Sequence, residues 1–258
     1  MSTLTSKARR AFLQKLLAGS AAAGLYMVYR HPVVAALSDT KDANATGQAA
    51  ERDFAFVVDV SRCIGCGQCV KACSVENDVP DGQYRTWIER YVVTPDGVRV
   101  DSPEGGMNGF EKLDDETAAQ ALNSFFVPKL CNHCAEAPCI QVCPVGATYR
   151  SAEGFVLVDS EHCIGCSYCV QACPYGVRFI NSEQRIADKC TWCYHRVSKG
   201  KLPACVTVCP TQARMFGDLN DPNSEVAKVR QADQWDVLKP EHHTESMCFY
   251  LSLPRVVV

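Results

Sequence analysis

Sixteen of the seventeen cysteines in this 258-residue chain fall into four quartets, and no other feature restricts the fold so tightly. The first quartet is Cys63, Cys66, Cys69 and Cys73; the second Cys131, Cys134, Cys139 and Cys143. The third is Cys163, Cys166, Cys169 and Cys173; the fourth Cys190, Cys193, Cys205 and Cys209, with Cys248 left over. Quartets one and three share the spacing C-x2-C-x2-C-x3-C. Three thiols within seven residues converge on one point only if the backbone loops tightly. Gly65 and Gly165 ease that by tolerating unusual dihedrals. Pro144, Pro174 and Pro210 follow the last cysteine of quartets two, three and four and turn the chain away by their locked φ. Quartet one has Ser74 there, a departure that removes no thiol.

The repeated spacing is the run of bacterial ferredoxins, in which three thiolates hold one cubane iron–sulfur cluster and the fourth reaches a neighbouring one. Zinc competes, since it takes C-x2-C pairs and four thiolates. A zinc ribbon, however, has no use for a third cysteine three residues after each pair, in two separate places. Disulfides are the second competitor, but 17 cysteines in 258 residues, about 6.6%, fall below the roughly 8–10% of disulfide scaffolds. Covalent haem needs C-x2-C-H, and in Cys190-Thr191-Trp192-Cys193-Tyr194-His195 the histidine comes one residue late.

The chain also repeats itself. Residues 58–73 align without a gap on 158–173 and share 10 of 16 positions, which makes two ferredoxin-like units visible. Each begins with a short apolar strand, Phe54 to Val60 and Phe155 to Val158, running into the cysteine loop. In so small a unit the metal takes the place of a side-chain core and supplies folding energy.

The first 45 residues differ from the rest. A basic stretch with Lys7, Arg9, Arg10 and Lys15 precedes the uncharged Leu16 to Tyr29, too short for a membrane span and suited to an export signal. Arg9-Arg10 followed by Ala11-Phe12-Leu13 resembles the twin-arginine signal that sends folded proteins out of the bacterial cytoplasm. Val34 with Ala36, or Ala43 with Ala45, offers a cleavage site; an amphipathic helix and an uncleaved anchor are the competing readings. The formal charge of −3 excludes a basic-footprint nucleic-acid binder.

Residues 94–127 form an acidic insertion with seven acids against two bases, read as a solvated surface or, alternatively, a docking face. Its second half predicts a helix capped by Asp114, with Asp115 and Glu116 at the positive end of the dipole. Asp221-Pro222 signals a second helix start. Met247 to Leu253 predicts a packed strand in which Cys248 is a buried hydrophobe.

The four-quartet order, the insertion, D-K-C-T-W-C at 188–193, L-P-A-C at 202–205 and G-D-L-N-D-P at 217–222 resemble the four-cluster ferredoxin-like subunit of complex iron–sulfur molybdoenzymes, the dimethyl sulfoxide reductase family. The resemblance covers nearly all of residues 53–255, and R-T-W-I-E-R-Y-V-V at 85–93 with the signal leans toward exported sulfur-metabolism members. Those include iron–sulfur subunits of tetrathionate and polysulfide reductases and of the transmembrane complex linked to dissimilatory sulfite reductase. The implied fold is α+β: two dicluster ferredoxin-like modules with loop-rich cluster binding, short strands and few helices. One module takes residues 53–93 plus 186–220 and the other residues 128–185. Residues 1–36 (or up to 45) form the signal, and 221–258 a C-terminal helix and strand.

The resemblance also implies the wiring of four [4Fe-4S] clusters. Quartet one pairs with quartet four and two with three. That gives Cys63, Cys66, Cys69 with Cys209; Cys190, Cys193, Cys205 with Cys73; Cys131, Cys134, Cys139 with Cys173; and Cys163, Cys166, Cys169 with Cys143. A cluster with four cysteine ligands has no open iron, so it passes single electrons and activates no substrate. No nucleophile triad, phosphate loop or dinucleotide fingerprint stands out elsewhere. The expected function is electron relay in a periplasmic-facing respiratory complex, reached by twin-arginine export. The expected partners are a quinone-reacting membrane subunit of the NrfD type and a molybdopterin catalytic subunit or multihaem cytochrome. The alternatives are the iron–sulfur subunit of a molybdopterin reductase acting on tetrathionate or polysulfide, and a redox enzyme with its own substrate site. Lys71, Arg178, Lys189 and Arg214 adjoin the cysteines and would raise nearby potentials, with ordinary surface roles as the competing reading.

Overall fold

The computed structural model describes residues 53–257; the export-signal reading, with Arg9 and Arg10, lies outside them. The strands are β1 (Phe54–Asp59), β2 (Thr86–Thr94), β3 (Gly97–Asp101), β4 (Asn123–Leu130), β5 (Thr148–Arg150), β6 (Val156–Val158), β7 (Arg178–Ile180), β8 (Ala187–Lys189), β9 (Arg214–Asp218) and β10 (Cys248–Leu251). The α-helices are α1 (Gln68–Asn77), α2 (Asp115–Gln120), α3 (Pro138–Gln141), α4 (Tyr168–Gln171), α5 (Tyr194–Val197), α6 (Ala204–Thr207) and α7 (Glu225–Ala232). Most elements run three to six residues and loops carry the rest, which is the α+β, loop-rich class expected.

Strand β1 is central to a three-stranded sheet, antiparallel to β9 and parallel to β10. Its sequence, FAFVVD, shows no apolar–polar alternation because both faces are covered. Phe56 and Val58 face the core that contains Trp192 and several cysteines, while Ala55 and Val57 pack on Val226 of α7 and Phe249 of β10. Burying Phe56 alone contributes about 1.5–3 kcal/mol. The ring of Phe216 packs on those of Phe54, Phe56 and Trp192, so β9 is pinned to β1 by aromatic contact as well as by its ladder.

The acidic insertion is more ordered than a solvated loop. Strand β2 pairs antiparallel with both β3 and β4, so the segment closes a second sheet in the order β3-β2-β4. The end of β4 is buried, from Val127 to Leu130, and the Tyr250 hydroxyl donates to the Pro128 carbonyl at 2.9 Å, tying this sheet to the first. The helix expected in the insertion forms as α2, with the Asp114 carboxylate accepting from the Thr117 amide at 2.8 Å. The helix expected from Asp221-Pro222 starts three residues later. Asp221 instead closes a turn, its carboxylate accepting from the Asn223 amide and its carbonyl from the Ser224 amide, both at 2.9 Å, and Ser224 becomes the residue before α7. Two ribbons, β5–β6 and β7–β8, flank the third cysteine quartet.

Two glycines separate conformational freedom from space. Gly67 and Gly82 both have φ +75°, but a Cβ at Gly67 would collide with the Met107 carbonyl oxygen, whereas nothing lies within 4 Å at Gly82. Gly82→Ala should cost about 1 kcal/mol from the left-handed backbone alone. Gly67→Ala should cost about 1–3 kcal/mol more, because backbone blocks it. Thermal unfolding of the two holoprotein variants checks this; equal losses would refute the role given to the Met107 contact.

Candidate metal centres

Each cysteine loop is a tight turn into a one- to three-turn helix. Gly65 and Gly165 take φ of +68° and +67°, as their place between thiols requires. The loop before α1 delivers Cys63 and Cys66, the first turn of α1 delivers Cys69, and the turn after α6 brings Cys209 to them; the four line one cavity together with Arg214. Cys131, Cys134, Cys139 and Cys173 line a second cavity with Asn132, His133 and Arg178. Cys73 faces Cys190, Cys205 and Cys193. Cys163 and Cys166 lie on the loop into α4 and Cys169 within it, and Cys143 follows α3, which packs against α4. Cys209 therefore joins the first quartet and Cys173 the second, each leaving its own sequence neighbours. Cys248 stands apart, fully buried in β10. All seventeen cysteines are free thiols, which removes the disulfide alternative.

The missing proline of quartet one has a structural consequence. Helix α4 stops before Pro174, but with Ser74 in that place α1 runs on to Asn77. The extra turn delivers an amide: Asn77 Nδ2 donates to the Cys73 carbonyl at 2.9 Å and lies 3.5 Å from Cys73 Sγ and 3.8 Å from Cys193 Sγ. Backbone amides do the same elsewhere, from Ala187 to Cys163 Sγ at 3.3 Å, Trp192 to Cys190 Sγ at 3.4 Å and Thr148 to Cys143 Sγ at 3.5 Å. Such N–H···S contacts stabilise thiolate and raise the potential of a cluster bound there.

Burial disfavours the thiolates otherwise. It pushes the Cys63 and Cys190 thiols up to about 11 and Cys134 and Cys205 up to about 12, with neighbouring cysteines adding repulsion. Only a bound cation centre can hold so many sulfurs ionised at neutral pH, so metal loading releases protons. Cys143 goes the other way: its burial is slight, and amides of Thr148, Val145 and Ala147 lower it.

The remaining polar groups fit an anionic iron–sulfur group. Arg178 Nη2, Arg214 Nη1 and both amide atoms of Asn132 are buried without a hydrogen-bond partner, and all three residues line the two cavities. Buried guanidinium groups persist only beside compensating negative charge. Sulfur-rich clusters supply it. Sixteen cysteines have the donor chemistry, and the sulfurs surround cavities rather than converging on single ions: among the described residues no three His, Cys, Asp or Glu side chains do so. The cysteine spacing signals the ligands; Asn77 and the buried His133 carry no such signal. His133 stacks on Trp192 at 4.1 Å between centroids, accepts at Nδ1 from the Val156 amide and donates from Nε2 to the Cys190 carbonyl. Burial, then Lys189, holds it neutral, well below the usual histidine range.

Comparison with known proteins agrees with this chemistry. Two family models, each a 4Fe-4S dicluster domain, match residues 62–147 and 122–219. A tetrathionate reductase subunit of Salmonella typhimurium is 40% identical over 252 residues, 97% of this chain and 90% of that protein. The corresponding tetrathionate reductase subunit of Archaeoglobus fulgidus is 44% identical over 203 residues, 79% of this chain and 84% of its own. The thiosulfate reductase electron transfer subunit of Salmonella typhi is 43% identical over 170 residues, covering 65% and 77%.

The grouping of thiols makes a specific expectation. Cys209→Ser should perturb the same electron paramagnetic resonance signal as Cys63→Ser, and Cys73→Ser the same signal as Cys190→Ser, because loss of one thiolate in four weakens the cluster it anchors. If Cys73→Ser and Cys63→Ser instead erase one signal between them, the grouping is wrong.

Proposed function

The chain belongs to the family of ferredoxin-like iron–sulfur subunits of the complex iron–sulfur molybdoenzymes, and from that premise we propose that it relays single electrons through four [4Fe-4S] clusters. The clusters are held by Cys63, Cys66, Cys69 and Cys209; by Cys73, Cys190, Cys193 and Cys205; by Cys131, Cys134, Cys139 and Cys173; and by Cys143, Cys163, Cys166 and Cys169. When bound, they supply one-electron transfer with no open iron for substrate. The chain's own residues position the sulfurs, exclude water and shape the potential.

The observation that carries this reading is the gradient of exposure across the four groups. Cys73, Cys190, Cys193 and Cys205 are all buried, as are three of the Cys131 group. In the two outer groups, Cys63, Cys66, Cys209, Cys143 and Cys163 are half-buried and Cys166 is exposed. Electrons therefore enter and leave at the outer groups and cross the interior between them. Exposed apolar side chains stand beside those same groups in the chain, Ile64 (59% exposed) and Val208 near the first, Ile164 (65%), Tyr168 and Val145 near the last, which suits docking of a protein at each end.

One docked partner is a quinone-reacting membrane subunit and the other a molybdopterin reductase of the tetrathionate class, the reading favoured by the relatives named above. No helix among the described residues is long and apolar enough to cross a membrane; attachment of this part to a membrane runs through the quinone-reacting partner. The complex faces the periplasm. Cluster insertion needs a reducing compartment, and twin-arginine export carries a folded holoprotein.

Two measurements test the proposal. The chain isolated in its native complex should carry about sixteen iron atoms, four for each of four clusters, and bring a multi-span membrane protein and a molybdopterin protein with it. Iron near eight, or zinc in comparable amount, would overturn the cluster count. Separately, changing both Arg9 and Arg10 to Lys should leave the protein in the cytoplasm with its clusters intact; arrival of the double variant in the periplasm would refute the export route.

A further inference from the structure

Four cations are buried among the described residues; Lys129 pairs with Glu89, whereas Lys189 at 1%, Arg214 at 2% and Arg178 at 4% exposure have no ion pair with a carboxylate there. Their hydrogen bonds go to neutral groups. Arg214 Nη2 donates to Thr86 Oγ1 at 2.9 Å, Arg178 Nη1 to Thr148 Oγ1 at 3.3 Å, and Lys189 Nζ to the Val156 carbonyl and to the Cys190 carbonyl, the latter at 2.8 Å. Arg178 and Lys189 are moreover direct cross-strand partners on the β7–β8 ribbon, an arrangement of like charges that a sheet avoids. Surface roles for these three are thus ruled out, while Lys71, the fourth basic residue beside the cysteines, is exposed.

Their placement follows the order of the four cysteine groups. Arg214 lines the first cavity with Cys63 and Cys69, and its charge acts on those thiols and on Cys205 of the second group. Lys189, bonded to the Cys190 carbonyl, acts by its charge on Cys190 of the second group and on Cys131 and Cys139 of the third. Arg178 lines the second cavity with Cys131 and Cys139, and its charge acts on those thiols and on Cys169 of the fourth group. One cation therefore occupies each of the three joints.

We propose that Arg214, Lys189 and Arg178 are the joint residues of the relay, each a shared buried cation that favours the reduced state of both clusters it separates. The inference rests on the four-cluster reading above. An added electron makes a cluster more negative, and a fixed positive charge in a medium of low dielectric favours that state. Because each cation is shared, its effect falls on two neighbours and leaves the other two nearly untouched.

The test is a redox titration of the holoprotein followed by electron paramagnetic resonance, each signal first assigned with a Cys→Ser variant of its group. Wild-type iron content and signal number check the four-cluster reading independently; a count other than four sinks that reading before any variant is compared. Arg214→Gln should lower the midpoints of the first and second clusters, Lys189→Gln those of the second and third, and Arg178→Gln those of the third and fourth. Each shift should reach at least a tenfold change in the reduction equilibrium, about 59 mV for one electron. Lys71→Gln should shift none so far. Arg214→Lys and Arg178→Lys keep the charge and should keep the wild-type midpoints, and they also decide the case if a Gln variant fails to load a cluster. Shifts confined to one cluster, equal shifts in all four, or the same loss in the Lys and Gln variants would overturn the proposal.

Discussion

The structure depends on keeping negative sulfur inside a small protein. Sixteen thiols are gathered into four groups, eight of them in surroundings where burial pushes their pKa values upward, and a carbon-lined core would leave those protonated and unable to hold iron. The chain answers with three kinds of positive potential. Amides of short turns point at sulfur, as Ala187 does at Cys163. An asparagine reaches two thiols from a lengthened helix. Two guanidinium groups and an ammonium group are sunk beside the sulfurs without carboxylate partners. Each of these would be unfavourable in an ordinary core, and each becomes favourable once anionic clusters share the space. Aromatic packing supplies the rest: Phe54, Phe56, Phe155, Phe216 and Trp192 form a rigid wedge beside the second and third groups.

How much of this is readable in the chain depends on the range of the interaction. Short-range features are legible. The quartets, the glycine turns, the strands running into them and the Asp114 cap all follow from residues within a few positions of one another. Asp221-Pro222 misleads because a carboxylate that can cap a helix can equally close a turn, and here the turn uses Pro222 and Asn223 before α7 begins. The insertion reads as solvated because the pairing of β2 with β4 joins segments some forty residues apart, for instance Thr86 with Leu130, and charge composition does not report it.

The site divides the same way. Ligand identity is local and legible; burial of the basic residues is not. Arg178 and Arg214 each stand five residues after the last cysteine of a quartet, in Cys173-Pro174-Tyr175-Gly176-Val177-Arg178 and Cys209-Pro210-Thr211-Gln212-Ala213-Arg214. That shared spacing is a usable signal, since each proline sends the chain into a strand whose first side chain turns back toward sulfur. At the same spacing after quartet two the residue is Thr148, which instead accepts a hydrogen bond from Arg178. Asn77 needs the further step of seeing that a serine in place of proline lengthens a helix.

The closing of the cavities also sets an order in time. The thiols around the second cavity span residues 131 to 173, whereas those around the first begin at Cys63 and are complete only with Cys209, 146 residues later. The inner ring is thus nested inside the outer one like one bracket pair within another. A chain leaving the ribosome presents the inner ring whole while the outer still lacks its last sulfur. Iron delivered earlier meets three thiols and an open corner at the first loop, so the first site can close only once Cys209 has been made.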